Sequence, residues 1–154
     1  MILYLDTSSL VKLYLDEAYS DLVREWAEAA EAVATVQIAY PEALSAFLRR
    51  RNQGDMGDEE LTFARESLDA DWPKLLLLAV NERRAGGLVV EHFLRGFDAV
   101  HLAAAQDLFD LFPTDDIVFS AFDKALVQAA RSVGLSILHP EIRSGFVMED
   151  SWIP

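Results

Sequence analysis

The sequence predicts an α/β fold in which a central, mostly parallel sheet is covered by helices on both faces. Two observations predict it. Short apolar runs alternate with longer stretches of helical period along the whole chain, the pattern of strand and helix in turn that builds parallel sheets. Acidic residues also recur where those runs end or the next helix begins, the positions that line the ligand edge of an open α/β sheet.

Taken in order, the run Ile2 to Leu5 ends at Asp6 and is followed by Thr7, Ser8 and Ser9, as a buried strand hands over to a helix. Helices follow over 8–16 and 19–31, and AVATV at 32–36 is the second strand. Pro41 fits the first turn of the next helix, where a missing N–H costs nothing. Leu44, Phe47, Leu48 and Arg51, then Leu61, Ala64, Leu68 and Trp72, recur at helical spacing on either side of NQGDMG, so 37–72 reads as a helical hairpin. Pro73 ends it, and Leu75 to Leu78 is the third strand. The segment 80–95 is helical but interrupted by Gly86 and Gly87. Asp98 opens a helix with Val100, Ala103, Ala104 and Leu108 on one face. Residues 117–119 form the fourth strand and 122–133 a helix capped by Gly134, before a last strand at 135–138.

The 154 residues, 52% of them hydrophobic, suit one domain spanning 1–154. Absence of cysteine removes disulfides, thiolate metal sites and a cysteine nucleophile. The N-terminus lacks a basic leader, and the longest apolar run, Leu75 to Val80, cannot span a bilayer; the expectation is a cytoplasmic protein with no membrane association. A formal charge of -13 disfavours strong, non-specific nucleic-acid binding.

Four acids stand at the predicted ligand edge: Asp6 ends the first strand, Glu42 lies early in the helix after the second, Asp98 begins another, and Asp123 follows the fourth strand. Each has an ordinary explanation. Asp6 and Asp98 suit helix starts, Ser120-Ala121-Phe122-Asp123 has capping-box spacing, and Glu42 is a first-turn carboxylate. Converging, however, they would repel one another and require a cation or a proton. Mg2+ takes such oxygen donors while keeping water and phosphate in its shell.

The segments LDTSSLVKLY (5–14), AYPEALSAFLRR (39–50), RGFDAVHLAAAQ (95–106) and FSAFDKALVQAARSVGL (119–135) resemble the PIN-domain family, specifically its VapC-type toxin ribonucleases. The resemblance implies a three-layer, doubly wound α/β/α sandwich, a homodimer, and Mg2+- or Mn2+-dependent endoribonuclease activity held in check by a cognate antitoxin. Carried over by motif, Asp6 and Asp98 are the main metal ligands, Glu42 and Asp123 complete the set directly or through water, and Ser8 and Ser120 orient a ligand or water. The chain departs from the family pattern at Gly86-Gly87, in its charge, and at Phe122.

Lys12, Arg49, Arg50 and Lys124 are the candidate RNA contacts, with Arg95 adjoining Asp98 and Arg51 extending the basic cluster; that cluster equally suits cations near a helix C-terminus. His101, in an apolar helical stretch, reads as a packed, hydrogen-bonded histidine, and Trp26, Trp72 and Trp152 as core or dimer-contact aromatics. The alternative function is a non-catalytic PIN-like interaction module, against which the four intact acids argue. A receiver-type phosphoacceptor would want an aspartate ending the third strand, where Asn81 follows instead.

Overall fold

The computed structural model describes residues 1–113 and 116–141. Strands β1 (Ile2–Leu5), β2 (Ala32–Val36), β3 (Leu76–Leu78), β4 (Ile117–Ser120) and β5 (Ser136–Ile137) form one sheet in the order β3-β2-β1-β4-β5. Every pairing is parallel, and β1 is flanked on both sides, with Leu3 opposite Val33 of β2 and Val118 of β4. All four β1 residues are buried, which is why the strand is apolar without alternation.

Helices are α1 (Thr7–Leu10), α2 (Ser20–Ala29), α3 (Ala39–Gln53), α4 (Asp58–Asp71), α5 (Glu82–His92), α6 (Gly96–Leu111) and α7 (Lys124–Ser132). Successive β1 side chains point to opposite faces, and the core divides accordingly. Ile2 and Tyr4 pack with Leu88, Leu102, Leu108 and Leu126 from α5, α6 and α7. Leu3 and Leu5 pack with Leu10, Val23 and Ala39 from α1, α2 and α3, with the partly buried Trp26 and Trp72 against them. The α3–α4 hairpin adds its own apolar seam, Ala43, Phe47, Ala64 and Leu68, closed by Val11 and Leu15. These three layers are the predicted sandwich.

After β3 the chain returns across the sheet and pairs β4 with the far side of β1. The order therefore reverses between β1 and β4, and the crevice beyond their carboxyl ends is where open α/β sheets bind ligands. Asp6 lies at the end of β1, and its backbone N–H donates to the Ser120 carbonyl at the end of β4 (3.0 Å).

Three predicted elements differ. The helix expected over 8–16 is the single turn α1 plus a 3-10 turn, Val11–Leu13. Lys12 ends it by donating to Glu17 Oε1 (2.5 Å) and the Ala18 carbonyl (3.0 Å), folding the chain back on itself. The glycines at 86 and 87 do not interrupt α5, which runs through both; it stops at His92, where Phe93 takes a left-handed conformation (φ 55°) and turns the chain. Helix α6 begins two residues before Asp98, at Gly96, so Asp98 sits in its first turn and not at its start. Gly134 (φ 86°) closes the turn after α7, a conformation in which any side chain is strained. Trp152 lies outside the described residues.

Candidate active site

Asp6 begins the site. It is the N-cap of α1, with extended backbone, and its Oδ1 accepts from the Ser9 N–H (2.8 Å). Ser8 donates to both carboxylate oxygens (2.7 and 2.8 Å), and its oxygen accepts from the Phe122 N–H (2.9 Å). One hydroxyl thereby ties the end of β1 to the loop after β4. Ser120 and Ser9 hydroxyls lie 3.0 Å apart and fully buried beneath it. Asp6 itself is 4% exposed, and among the described residues no lysine or arginine pairs with it. Burial pushes its carboxyl above the ordinary range, while attraction to His101 and the Ser8 and Ser9 hydrogen bonds pull it back only in part.

A second grouping centres on Glu42, in the first turn of α3. Thr7 Oγ1 donates to Glu42 Oε2 (2.6 Å), and the same oxygen lies 3.0 Å from His101 Nε2. Thr7 Oγ1 is also 2.9 Å from Nε2, and the Tyr4 hydroxyl is 3.1 Å from Nδ1. With Nε2 donating to Glu42, the Tyr4 hydroxyl donates to Nδ1 of the neutral ring or accepts from it in the protonated ring, so the set is satisfied in either state. For Glu42, burial alone would raise the carboxyl, but hydrogen bonds from His101 and Thr7 and attraction to His101 outweigh it and hold the group below its usual value. Burial, then the negative charge of Asp6 and Glu42, pushes the Tyr4 phenol well up, which keeps it protonated as a donor. His101, 3% exposed with three side-chain partners, is the packed histidine its sequence context predicted.

The third grouping joins Asp98, one turn before His101 on α6, to Asp123, the N-cap of α7. Asp123 Oδ1 accepts from the Leu126 N–H (3.0 Å). Arg95 bridges the two acids, its Nε donating to Asp98 Oδ2 (2.8 Å) and its terminal nitrogen to Asp123 Oδ2 (2.9 Å).

The four predicted acids thus lie along one edge, but not as one convergent set. Among the described residues no three acid or histidine side chains stand close enough to hold a metal ion. The expected mutual repulsion is relieved instead by protein donors: hydroxyl and amide at Asp6, threonine and histidine at Glu42, guanidinium between Asp98 and Asp123. The chemistry of the donors nonetheless fits a hard divalent cation. They are carboxylates and hydroxyls, and one of them, Asp6, is a buried carboxylate that no lysine or arginine among the described residues pairs with.

Two of the predicted RNA contacts are engaged elsewhere. Lys12 is 7% exposed, paired with Glu17 and held 4.4 Å from the centre of the Phe122 ring, so it is a packed structural cation and not a surface one. Arg50 is ion-paired with Glu17, and Arg51 with Asp58. Arg49 makes no ion pair among the described residues and lines a shallow surface groove along α3 with Pro41, Leu44 and Leu48. Sequence reasoning missed Thr7, Tyr4 and the bridging role of Arg95. Thr7, next to Asp6, carries the one local signal, a hydroxyl beside an acid at a strand end.

The PIN-domain family model matches residues 3–128. The chain is 31% identical over 139 residues to "Ribonuclease VapC45" and to "Ribonuclease VapC49" from Mycobacterium tuberculosis, covering 88% of this chain and 94% of each relative. It is also 31% identical to "Ribonuclease VapC46" from the same organism over 141 residues, covering 90% of this chain and 97% of that one. Among solved structures, PAE2754 from Pyrobaculum aerophilum matches with a TM-score of 0.62 at 17% identity, over 89% of this chain and 83% of that one. FitAcB from Neisseria gonorrhoeae matches with a TM-score of 0.59 at 15% identity, over 91% and 98%. The sheet order, the acids at its reversal point and these likenesses agree: the chain belongs to the PIN-domain family, among its VapC-type members.

Proposed function

We propose that this protein is a metal-dependent endoribonuclease, the toxin of a toxin–antitoxin pair, acting in the cytoplasm as a homodimer with 1–154 as a single nuclease domain. The observation that carries the reading is the buried Asp6 carboxylate, held by Ser8 at the reversal point of the sheet and, among the described residues, paired with no lysine or arginine. The names of the curated relatives support the substrate class; the antitoxin and the dimer rest on the family likeness. Among the described residues no helix is long and apolar enough to cross a membrane.

Asp6 and Asp98 would hold Mg2+ or Mn2+, with Glu42 and Asp123 directly or through water. The ion, when bound, activates water and neutralises charge on the phosphodiester. Ser8 fixes the plane of the Asp6 carboxylate from both oxygens, and Ser120, against Ser9, braces the β4 end beneath it. Thr7 and His101 keep Glu42 ionised and aimed, and Tyr4 holds the imidazole from behind.

Purified protein is expected to cut RNA with Mg2+ or Mn2+, to stop when the metal is chelated, and to lose cleavage in Asp98→Asn. Cleavage undiminished by chelator would overturn the metal-dependent reading, and no cleavage with partner binding retained would favour the interaction module. Of the basic candidates, Arg49, on the surface groove along α3, is the one proposed to contact phosphate. Arg49→Gln should weaken RNA binding and lower the slope of log affinity against log salt by about 1. Lys12→Gln should leave that slope unchanged, because the Lys12 ammonium is committed to Glu17. Equal slopes for Arg49→Gln and the parent would remove Arg49 from the RNA surface.

A further inference from the structure

Arg95 has a place at the acidic edge that the nuclease reading leaves unused. It precedes α6 as its N-cap, its side chain is 77% exposed, and it reaches inward to Asp98 and Asp123, which are 18% and 33% exposed. The guanidinium therefore caps this carboxylate pair from the solvent side. Both pairings use Oδ2. At Asp123 the other oxygen is committed to the Leu126 N–H as the helix cap, which leaves Oδ2 for Arg95. The planar fork of a guanidinium suits such bridging, and its charge does not titrate away.

We propose that Arg95 is an internal counter-cation: it draws Asp98 and Asp123 together in the metal-free protein and competes with a divalent cation for their oxygens. The inference rests on the metal-dependent reading above. Two carboxylates brought from separate helices to one edge need a positive charge between them, and Arg95 supplies it before any ion arrives. Exposed ion pairs are weak, so releasing the guanidinium is easy and the competition amounts to a several-fold effect on metal affinity. The arrangement makes Arg95 a positioning residue that sets how much free cation the site needs.

The test is calorimetric titration of metal-free, full-length protein with manganese chloride, comparing the parent, Arg95→Gln and Arg95→Lys. Arg95→Gln is expected to bind Mn2+ about five- to tenfold more tightly, because the competing cation is gone. Arg95→Lys keeps the charge but has no fork to span both acids, and it should also bind more tightly than the parent. A merely structural Arg95 would not tighten metal binding. Unchanged or weaker affinity in Arg95→Gln overturns the proposal, as does an Arg95→Lys affinity equal to the parent's, which would make the effect one of net charge alone. Mn2+ binding in the parent with no change in Arg95→Gln sinks this inference and leaves the metal-dependent reading standing. Absence of Mn2+ binding in both proteins sinks the two together.

Discussion

Asp6→Asn is expected to reduce metal-dependent RNA cleavage by at least about 100-fold while leaving the protein folded and, at neutral pH, no less stable than the parent. The two halves of this result have separate causes. Asparagine keeps a carbonyl oxygen to accept from the Ser9 N–H and is as good an N-cap as aspartate, so α1 retains its start. It lacks the charge that would hold a cation. The stability half follows from burial: the Asp6 carboxyl is raised in the folded protein relative to the unfolded chain. The stability this proton contributes is complete below the ordinary carboxylate range, about pH 4, and is lost as pH rises through the raised folded value. Ionising the buried Asp6 carboxyl therefore carries a cost that asparagine does not bear. Thermal unfolding should show any gain of the variant at neutral pH vanishing on acidification to about pH 4. Full cleavage activity in Asp6→Asn would remove the assignment, and collapse of the fold would remove the capping argument.

His101→Ala is expected to destabilise the fold by about 2–4 kcal/mol at neutral pH. The imidazole is nearly inaccessible, and its removal strips a partner from Tyr4, Thr7 and Glu42 at once. Thr7 still donates to Glu42, but the Tyr4 hydroxyl is left buried without its imidazole partner, and Glu42 loses the interactions that, with Thr7, hold its carboxyl low. The pH dependence has the opposite sign to that of Asp6. A depressed carboxyl contributes stability that is present above its unfolded value and lost as pH falls through the folded one. The gap between parent and variant should therefore narrow as urea unfolding is repeated from about pH 7 down to about pH 3.5. A gap independent of pH would place the whole effect in packing. His101→Gln, which retains an N–H, should recover part of the loss.

These two residues also mark what the sequence makes legible. Strands with continuous apolar runs and helices with strong period are readable because burial imposes the pattern locally: β1, β2, the α3–α4 hairpin and α7 all fall where composition places them. The acids are readable as positions, since strand ends and first turns are encoded by neighbours in sequence. Their partners are not. Thr7 meets Glu42, Tyr4 meets His101 and Arg95 meets Asp123 only because β1, α3, α6 and α7 pack around one crevice, and nothing in the local spacing of any of these residues announces it. The same limit explains Lys12. A lysine on a short helix after an acid reads as a surface cation, and only the turn through Glu17 and Ala18 shows it folded under Phe122.

The pairing of β1 with β4 has a consequence for how the protein is made. Strand β1 finds one neighbour in β2 but waits for the other until Ile117–Ser120 has been synthesised, a contact of long sequence separation that forms late. Asp6 leaves the ribosome well before the backbone of Phe122 and the hydroxyl of Ser120 that complete its surroundings. A nascent chain halted before β4 would carry Asp6, Glu42 and Asp98 and still have no finished crevice, so translation itself delays the moment at which the site is complete.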